Sequence, residues 1–301
     1  MADRRLQVFH AVAKHGSFTR AAEHLFMTQP AVTFQIKQLE EHYNTRLFER
    51  GHGKVTLTPA GDLVMAYAER ILGLNEELEV RVGELTDELT GTLNIGTSTT
   101  IGAYWLPGLL RDFVRQYPKV VPRVVVGNSQ LVEDKVVSKE LDLGLIEIVT
   151  DHPALERISA CHDELLVIAP IGHPLTVMER VGAHDLVPYP RITRDPGNAI
   201  RVLTEQYFEA AGIGAEELNV VAELGSLATV KQLVEGGVGY GIASRAAIQR
   251  DVAEGRFAAL PLDPPLYTPL EVLYPRDKFR SRLITTFAEF ATEGLRARCL
   301  P

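Results

Sequence analysis

Residues 28 to 41 read Thr28-Gln29-Pro30-Ala31-Val32-Thr33-Phe34-Gln35-Ile36-Lys37-Gln38-Leu39-Glu40-Glu41. Val32, Ile36, Leu39 and Tyr43 recur at spacings of four, three and four, so at about 100° per residue they form one apolar stripe on a helix. That stripe faces a core. Pro30, Thr33, Phe34 and Lys37 fall on the opposite side, with Gln29 in the first turn. A face of small, amide, hydroxyl and basic groups with few carboxylates suits a nucleic-acid groove. Thr28 is placed to cap the first turn through its hydroxyl, and Pro30 stands where a missing N–H costs nothing.

Upstream, Ser17 caps a short helix carrying Phe18, Ala21, Ala22 and Leu25, and only Phe26 and Met27 separate it from Thr28. Two helices with so short a turn cross steeply, and the small Ala21 and Ala22 let their axes approach. This is helix-turn-helix geometry, in which the second helix enters the major groove; an ordinary small helical bundle would show the same spacing. Leu47-Phe48-Glu49-Arg50 and Val55-Thr56-Leu57 then read as two short strands around Gly51-His52-Gly53-Lys54. This is a wing, with Arg50, His52 and Lys54 at its tip as candidate contacts to phosphates or the minor groove.

Phe9, Ser17-Phe18, Ala21-Ala22, Leu25, Thr28 to Val32, Gln35 to Lys37, Leu39-Glu40, Leu47-Phe48, Arg50, Leu57-Thr58 and Ala60-Gly61 form a dense, ordered set. By it residues 1 to 60 resemble the N-terminal domain of the LysR-type transcriptional regulators. The resemblance implies sequence-specific binding of double-stranded promoter DNA through Gln29, Pro30, Thr33, Phe34 and Lys37, with RNA polymerase as a further partner. Phe34 departs from the pattern, since many relatives carry a basic residue there; a phenyl ring suits a thymine methyl or the sugar backbone.

Charge agrees with a separate DNA-binding module. The 301 residues carry a formal net charge of −8, yet residues 1 to 60 hold eight Lys or Arg against five Asp or Glu, and five of the nine histidines. A basic module on an acidic body is the footprint of a DNA reader with a regulatory part. With 46% apolar residues, no run long enough to span a bilayer and no leader pattern at Met1 to Ala13, the expectation is a cytoplasmic protein without a membrane partner. Cys161 and Cys299 lie far apart without metal-ligand spacing, so free thiols are expected, with no metal site and no cofactor.

Pro59 opens a long helix expected to run to about Leu89. Leu63, Tyr67, Ile71, Leu74, Leu78, Val82, Leu85 and Leu89 form a sustained apolar seam with charged residues outside it. Such a seam wants a partner helix and predicts a homodimer; the family resemblance suggests homotetramers. From Thr90-Gly91 onward strands and helices alternate, beginning with a βαβαβ unit over residues 92 to 147 and continuing in a second α/β half. The fold class is therefore α/β with an all-α N-terminal part. Its domains are a winged helix-turn-helix at 1–58, a linker and dimerisation helix at 59–90, and an effector-binding domain at 91–301. Lobe I takes about 91–163 and 268–301 and lobe II about 164–267, resembling the family's periplasmic-binding-protein-like domain.

Ligands bind open α/β sheets at the strands' carboxyl ends. Ser98, Thr99 and Thr100 follow the first such strand and open a helix; Thr193, Arg194, Asn198 and Arg201 open another, and Ser226 and Thr229 a third. Helix N-termini rich in hydroxyl and guanidinium groups predict a small anionic co-inducer, with Glu147 as an acidic neighbour. Asp195-Pro196-Gly197 and Arg201 are similar to a stretch in family members that sense small anions of sulfur and carbon assimilation, whereas Asn198, Ala199 and Ile200 are not. Ile200 suggests a smaller or partly apolar effector.

Catalysis finds no support. Gly236-Gly237-Val238-Gly239-Tyr240-Gly241 follows a helix and precedes a strand, the reverse of a dinucleotide loop, and no nucleophile with a base is apparent. A solute-binding transport component fits the second half but not the first 60 residues.

Overall fold

The computed structural model describes residues 4–51, 54–84, 88–148, 151–276 and 281–299. They fall into two compact units, one up to Glu84, the other from Glu88 to Arg276 and from Arg282 to Cys299.

In the first unit α1 (Arg4–His15), α2 (Phe18–His24) and α3 (Gln29–Tyr43) enclose a core of Val8, Phe9, Val12, Ala21, Ala22, Val32, Ile36 and Leu39. Ser17 Oγ accepts the Arg20 N–H at 3.3 Å and starts α2. Two local expectations are corrected. Thr28 holds the N-cap backbone conformation of α3 but its hydroxyl makes no capping bond, the turn relying on Pro30 instead. Tyr43 leaves the apolar stripe at 45% exposure, because the helix ends there and Asn44 turns the chain through the left-handed region at φ 51°.

Strands β1 (Phe48–Gly51) and β2 (Lys54–Leu57) pair antiparallel, Phe48 opposite Leu57. Glu40 on α3 ties this hairpin down, its Oε1 accepting the N–H of Leu47 at 2.8 Å and of Phe48 at 3.3 Å. Helix α4 (Pro59–Glu84) follows at once. Gly61 is needed in its first turn, where a Cβ would stand 2.1 Å from the Leu47 carbonyl oxygen. The expected continuation to Leu89 is not seen: 88–90 are not helical, and Leu85 lies outside the described residues.

The second unit is built on β3 (Gly91–Ser98), a π-turn (Ile101–Trp105), α5 (Leu106–Gln116), β4 (Val120–Gly127), α6 (Ser129–Val137) and β5 (Leu143–Ile146). There follow β6 (Leu155–Ala169), β7 (Val181–Gly182), α7 (Ala183–Leu186), β8 (Arg191–Arg194), α8 (Ala199–Ala210), β9 (Val220–Leu224), α9 (Leu227–Glu235), β10 (Gly241–Ser244), α10 (Arg245–Ala253), β11 (Ala258–Pro275) and α11 (Arg282–Arg298). Among the described residues the main sheet runs β10-β6-β11-β5-β3-β4, with β7 beside β11. Strands β3, β4 and β5 are parallel, as a βαβαβ unit requires.

Strands β6 and β11 organise the unit. They pair antiparallel almost throughout, with register breaks between Pro261 and Leu266 and between Leu270 and Glu271. One end packs into the core of Ile95, Leu109, Phe113, Ala160, Leu270 and Phe287, and the other into that of Leu165, Val167, Phe208, Tyr240 and Leu260. Two lobes therefore share these strands, and the crossover falls at Cys161–Leu165 opposite Leu266–Leu270. The expectation of free thiols is overturned: Cys161 on β6 and Cys299 after α11 form a disulfide, with Cα atoms 6.4 Å apart across 138 residues of sequence. Packing of α11 on β6 creates that proximity, which no spacing rule could show. Among the described residues no helix is long and apolar enough to cross a membrane, and no His, Cys, Asp and Glu group could hold a metal ion.

Candidate DNA interface and effector cleft

The face of α3 opposite the core presents Gln29, Pro30, Phe34 and Lys37 to the surface, with Thr33 half-buried between them. Gln29 Nε2 donates to Thr33 Oγ1 at 3.0 Å, which orders both side chains. Lys37 Nζ lies 3.6 Å from Glu41, a solvated pair one turn apart that is worth a few tenths of a kcal/mol, so a phosphate can displace it at little cost. Phe34 is 58% exposed, an aromatic ring at the centre of a polar face. Arg50 and Lys54 lie on β1 and β2, but their side chains and all of His52 are outside the described residues.

In the second unit the groups at the lobe crossover are polar and deeply buried. Ser98 and Thr100 leave the end of β3, where Ser98 Oγ accepts the Ile101 N–H at 3.4 Å. The chain then makes a π-turn, a rare distortion that concentrates at functional sites, and it turns Trp105 inward. Arg194 ends β8 with Nε on the Leu224 carbonyl oxygen at 3.2 Å and Nη2 on that of Gly225 at 2.9 Å. Nη2 also lies 3.4 Å from Thr99 Oγ1, across the lobes. Burial pushes this guanidinium's pKa down, and the charges of Asp195 and Glu147 push it back up.

Glu147 follows β5 and is 1% exposed. Burial raises its carboxyl to about 7; the Ser98 and Thr100 hydroxyls and Arg194 pull it down, while Asp163 pushes it up. Asp163, on β6 at the crossover, is also raised by burial against the Ser244 hydroxyl, the Ala246 N–H and the Trp105 indole.

The remaining sequence candidates are spent differently. Thr193 is buried on β8, next in the chain to Arg194. Asn198 Oδ1 caps α8 by accepting the Ile200 N–H at 3.1 Å. Arg201 is neutralised by Glu205 at 2.7 Å and Glu223 at 2.6 Å, and its Nη1 supports the Arg194 carbonyl oxygen at 3.0 Å. Ser226 Oγ caps α9 through the Thr229 N–H at 3.5 Å, and both side chains are exposed. Ile200 does not shape the cleft, because it lies 2% exposed within the lobe II core. Sequence reasoning missed Trp105, Asp163 and Ser244. A charged pair, Asp163-Glu164, interrupting the apolar run of β6 was the signal available for the second.

A winged helix-turn-helix unit and a two-lobed α/β unit with buried polar groups where its lobes meet, on one chain, define a ligand-responsive DNA-binding regulator. Residues 4–62 match the bacterial regulatory helix-turn-helix protein, lysR family, and residues 86–296 match the LysR substrate binding domain. The chain belongs to the LysR family of transcriptional regulators and is not an enzyme. It is similar to a probable RuBisCO transcriptional regulator of Porphyra purpurea, 35% identical over 83% of this chain and 80% of that one. A second, from Nostoc sp., is 32% identical over 95% of this chain and 86% of its own length. Among solved structures, full-length OxyR from Pseudomonas aeruginosa shares the fold at a TM-score of 0.72 and 22% identity, covering 97% of this chain and 93% of the other.

Proposed function

We propose that this regulator controls genes of carbon fixation from within the cytoplasm, binding promoter DNA as a dimer or tetramer and responding to a small organic or inorganic anion held between its lobes. The relatives named as probable RuBisCO regulators support the target class. The observation that carries the effector reading is Arg194, whose Nη1 is buried at the lobe crossover without a hydrogen-bond partner. A buried donor of this kind costs stability unless it serves a ligand.

The α3 face holds the DNA, Gln29, Pro30, Thr33 and Phe34 lying against bases and Lys37 against phosphate, with Arg50, His52 and Lys54 at the wing. Gel-shift titrations over a range of salt test this. Lys37→Ala should weaken binding on all sequences and reduce the slope of log K against log salt by about 1, the share of a single phosphate. Phe34→Ala should weaken the preferred operator alone. Arg194→Ala should abolish the effector's influence on these titrations while leaving DNA binding itself unchanged. An effector response that survives Arg194→Ala would place the ligand elsewhere.

A further inference from the structure

Lobe I holds a cavity of about 430 Å³ apart from the lobe crossover, within the roughly 300–1,000 Å³ of small-molecule sites. It lies on the face of the main sheet that packs on α6. Ile146, Leu155 and Leu273 line it and share a small core with Val132 and Val136 of that helix. Glu147 is next in the chain to Ile146 but meets the Ser98 and Thr100 hydroxyls at the crossover, so the two places are separate although both adjoin β5.

Glu271 stands in this apolar wall. Its backbone lies opposite Ile146 on β5 and Ser159 on β6, and alternation along β11 sends its side chain to the same face as Leu273. It lines the cavity at 4% exposure, and among the described residues no hydrogen bond or ion pair reaches its carboxyl. A carboxyl buried without a donor is costly.

Two guanidinium groups face the same space. Arg157, opposite Leu273 in the strand register, and Arg276, just beyond β11, both line it. Neither has a carboxylate partner among the described residues. Arg276 is fixed by its N–H on the Ala154 carbonyl oxygen at 2.8 Å and its Nη2 on that of Leu155 at 3.4 Å. His152 Nδ1 accepts the Ala154 N–H at 3.2 Å and closes the turn that forms the rim, where Asp151 and Glu156 also lie.

The charges exclude the simplest ligands. A free anion would meet Glu271, Asp151 and Glu156, and a free cation would meet Arg157 and Arg276. A molecule carrying both charges satisfies both sets, and the aliphatic wall takes an apolar substituent. We infer that this cavity is a second ligand site, for a zwitterionic α-amino acid with an aliphatic side chain. The ammonium donates to Glu271, the carboxylate accepts from Arg157 and Arg276, and the side chain covers Ile146, Leu155 and Leu273. The site does not depend on the effector reading at Arg194, and it gives the regulator a second input of different charge.

Thermal shift and calorimetric titration of the full chain with leucine test it, against 4-methylpentanoate, which lacks the ammonium, and 3-methylbutylamine, which lacks the carboxylate. Leucine should raise the melting temperature and bind at least about tenfold more tightly than either analogue, the share of one charge-assisted hydrogen bond. Glu271→Gln should bring leucine down to the level of 4-methylpentanoate, and Arg157→Ala should weaken it about tenfold. If Glu271→Gln does not fold, Arg157→Ala, at an exposed side chain, decides together with the two analogues. The proposal is overturned if none of leucine, isoleucine and valine binds. It is overturned equally if an analogue binds as tightly as leucine, which would leave an anion or amine pocket, or if leucine affinity is unchanged in the variants, which would place the amino acid elsewhere.

Discussion

Glu147 shows what a single position can and cannot disclose. Its place after the third strand of a βαβαβ unit leads the sequence to expect it where the lobes meet. Its protonation is hidden there, because that depends on enclosure by Ser98, Thr100 and Asp163, whose side chains arrive from other elements. Burial raises the carboxyl from 4.5 to about 7, so between those values the native state holds a proton that the unfolded chain has released. Stability then falls as pH rises from about 4.5 to about 7 and is level beyond, with a total effect on the order of 3 kcal/mol. Melting curves from pH 5 to 8 should show this decline in the wild type, and Glu147→Gln should flatten it. An unchanged slope in that variant would mean that Glu147 stays ionised. Arg201 teaches the reverse lesson: its sequence context marks it as a ligand contact, but Glu205 and Glu223 claim its charge.

Elements are legible where a period governs them. Helices α2 and α3 follow the 3.6-residue repeat: Ala21, Ala22, Val32, Ile36 and Leu39 are buried as expected, Phe18 and Leu25 half-buried, and Tyr43 alone is exposed. Strands β6 and β11 show in the sequence only as fragments, because Pro261, Pro264, Pro265 and Pro269 punctuate β11 and read as breakers; the structure accommodates the first three at a register break between Pro261 and Leu266. The π-turn before α5 has no sequence signature, so the two read as one helix. Helix α4 keeps its periodic seam on the surface, with Leu63, Tyr67, Ile71, Leu74 and Leu78 all exposed, Leu74 at 64%. A row of apolar side chains along several helical turns is an association surface. Leu74→Glu with Leu78→Glu should convert the oligomer to monomers in sedimentation experiments and lower operator affinity at least about tenfold, since two half-sites no longer act together. Retention of the oligomer would assign assembly to other surfaces and leave the seam without a role.

On the scale of the whole molecule, the division into a basic reader and an acidic sensor is visible in the charge distribution alone, whereas the route of communication is not a property of composition. Each unit has its own ligand, so regulation reduces to a coupling free energy between DNA and effector. That coupling has a checkable symmetry. Whatever factor an effector imposes on operator affinity, the operator must impose on effector affinity, and couplings of about 1–3 kcal/mol correspond to factors of roughly 5–150. Titrating a small carboxylate that raises the melting temperature into the free protein and into its operator complex, and operator into protein with and without that carboxylate at saturation, should return the same factor twice. Leu74→Glu with Leu78→Glu should reduce that factor toward one if coupling passes through the assembled oligomer, because an effector that binds all DNA-reading arrangements equally shifts none of them. A factor that persists in the monomeric variant would locate the coupling within a single chain.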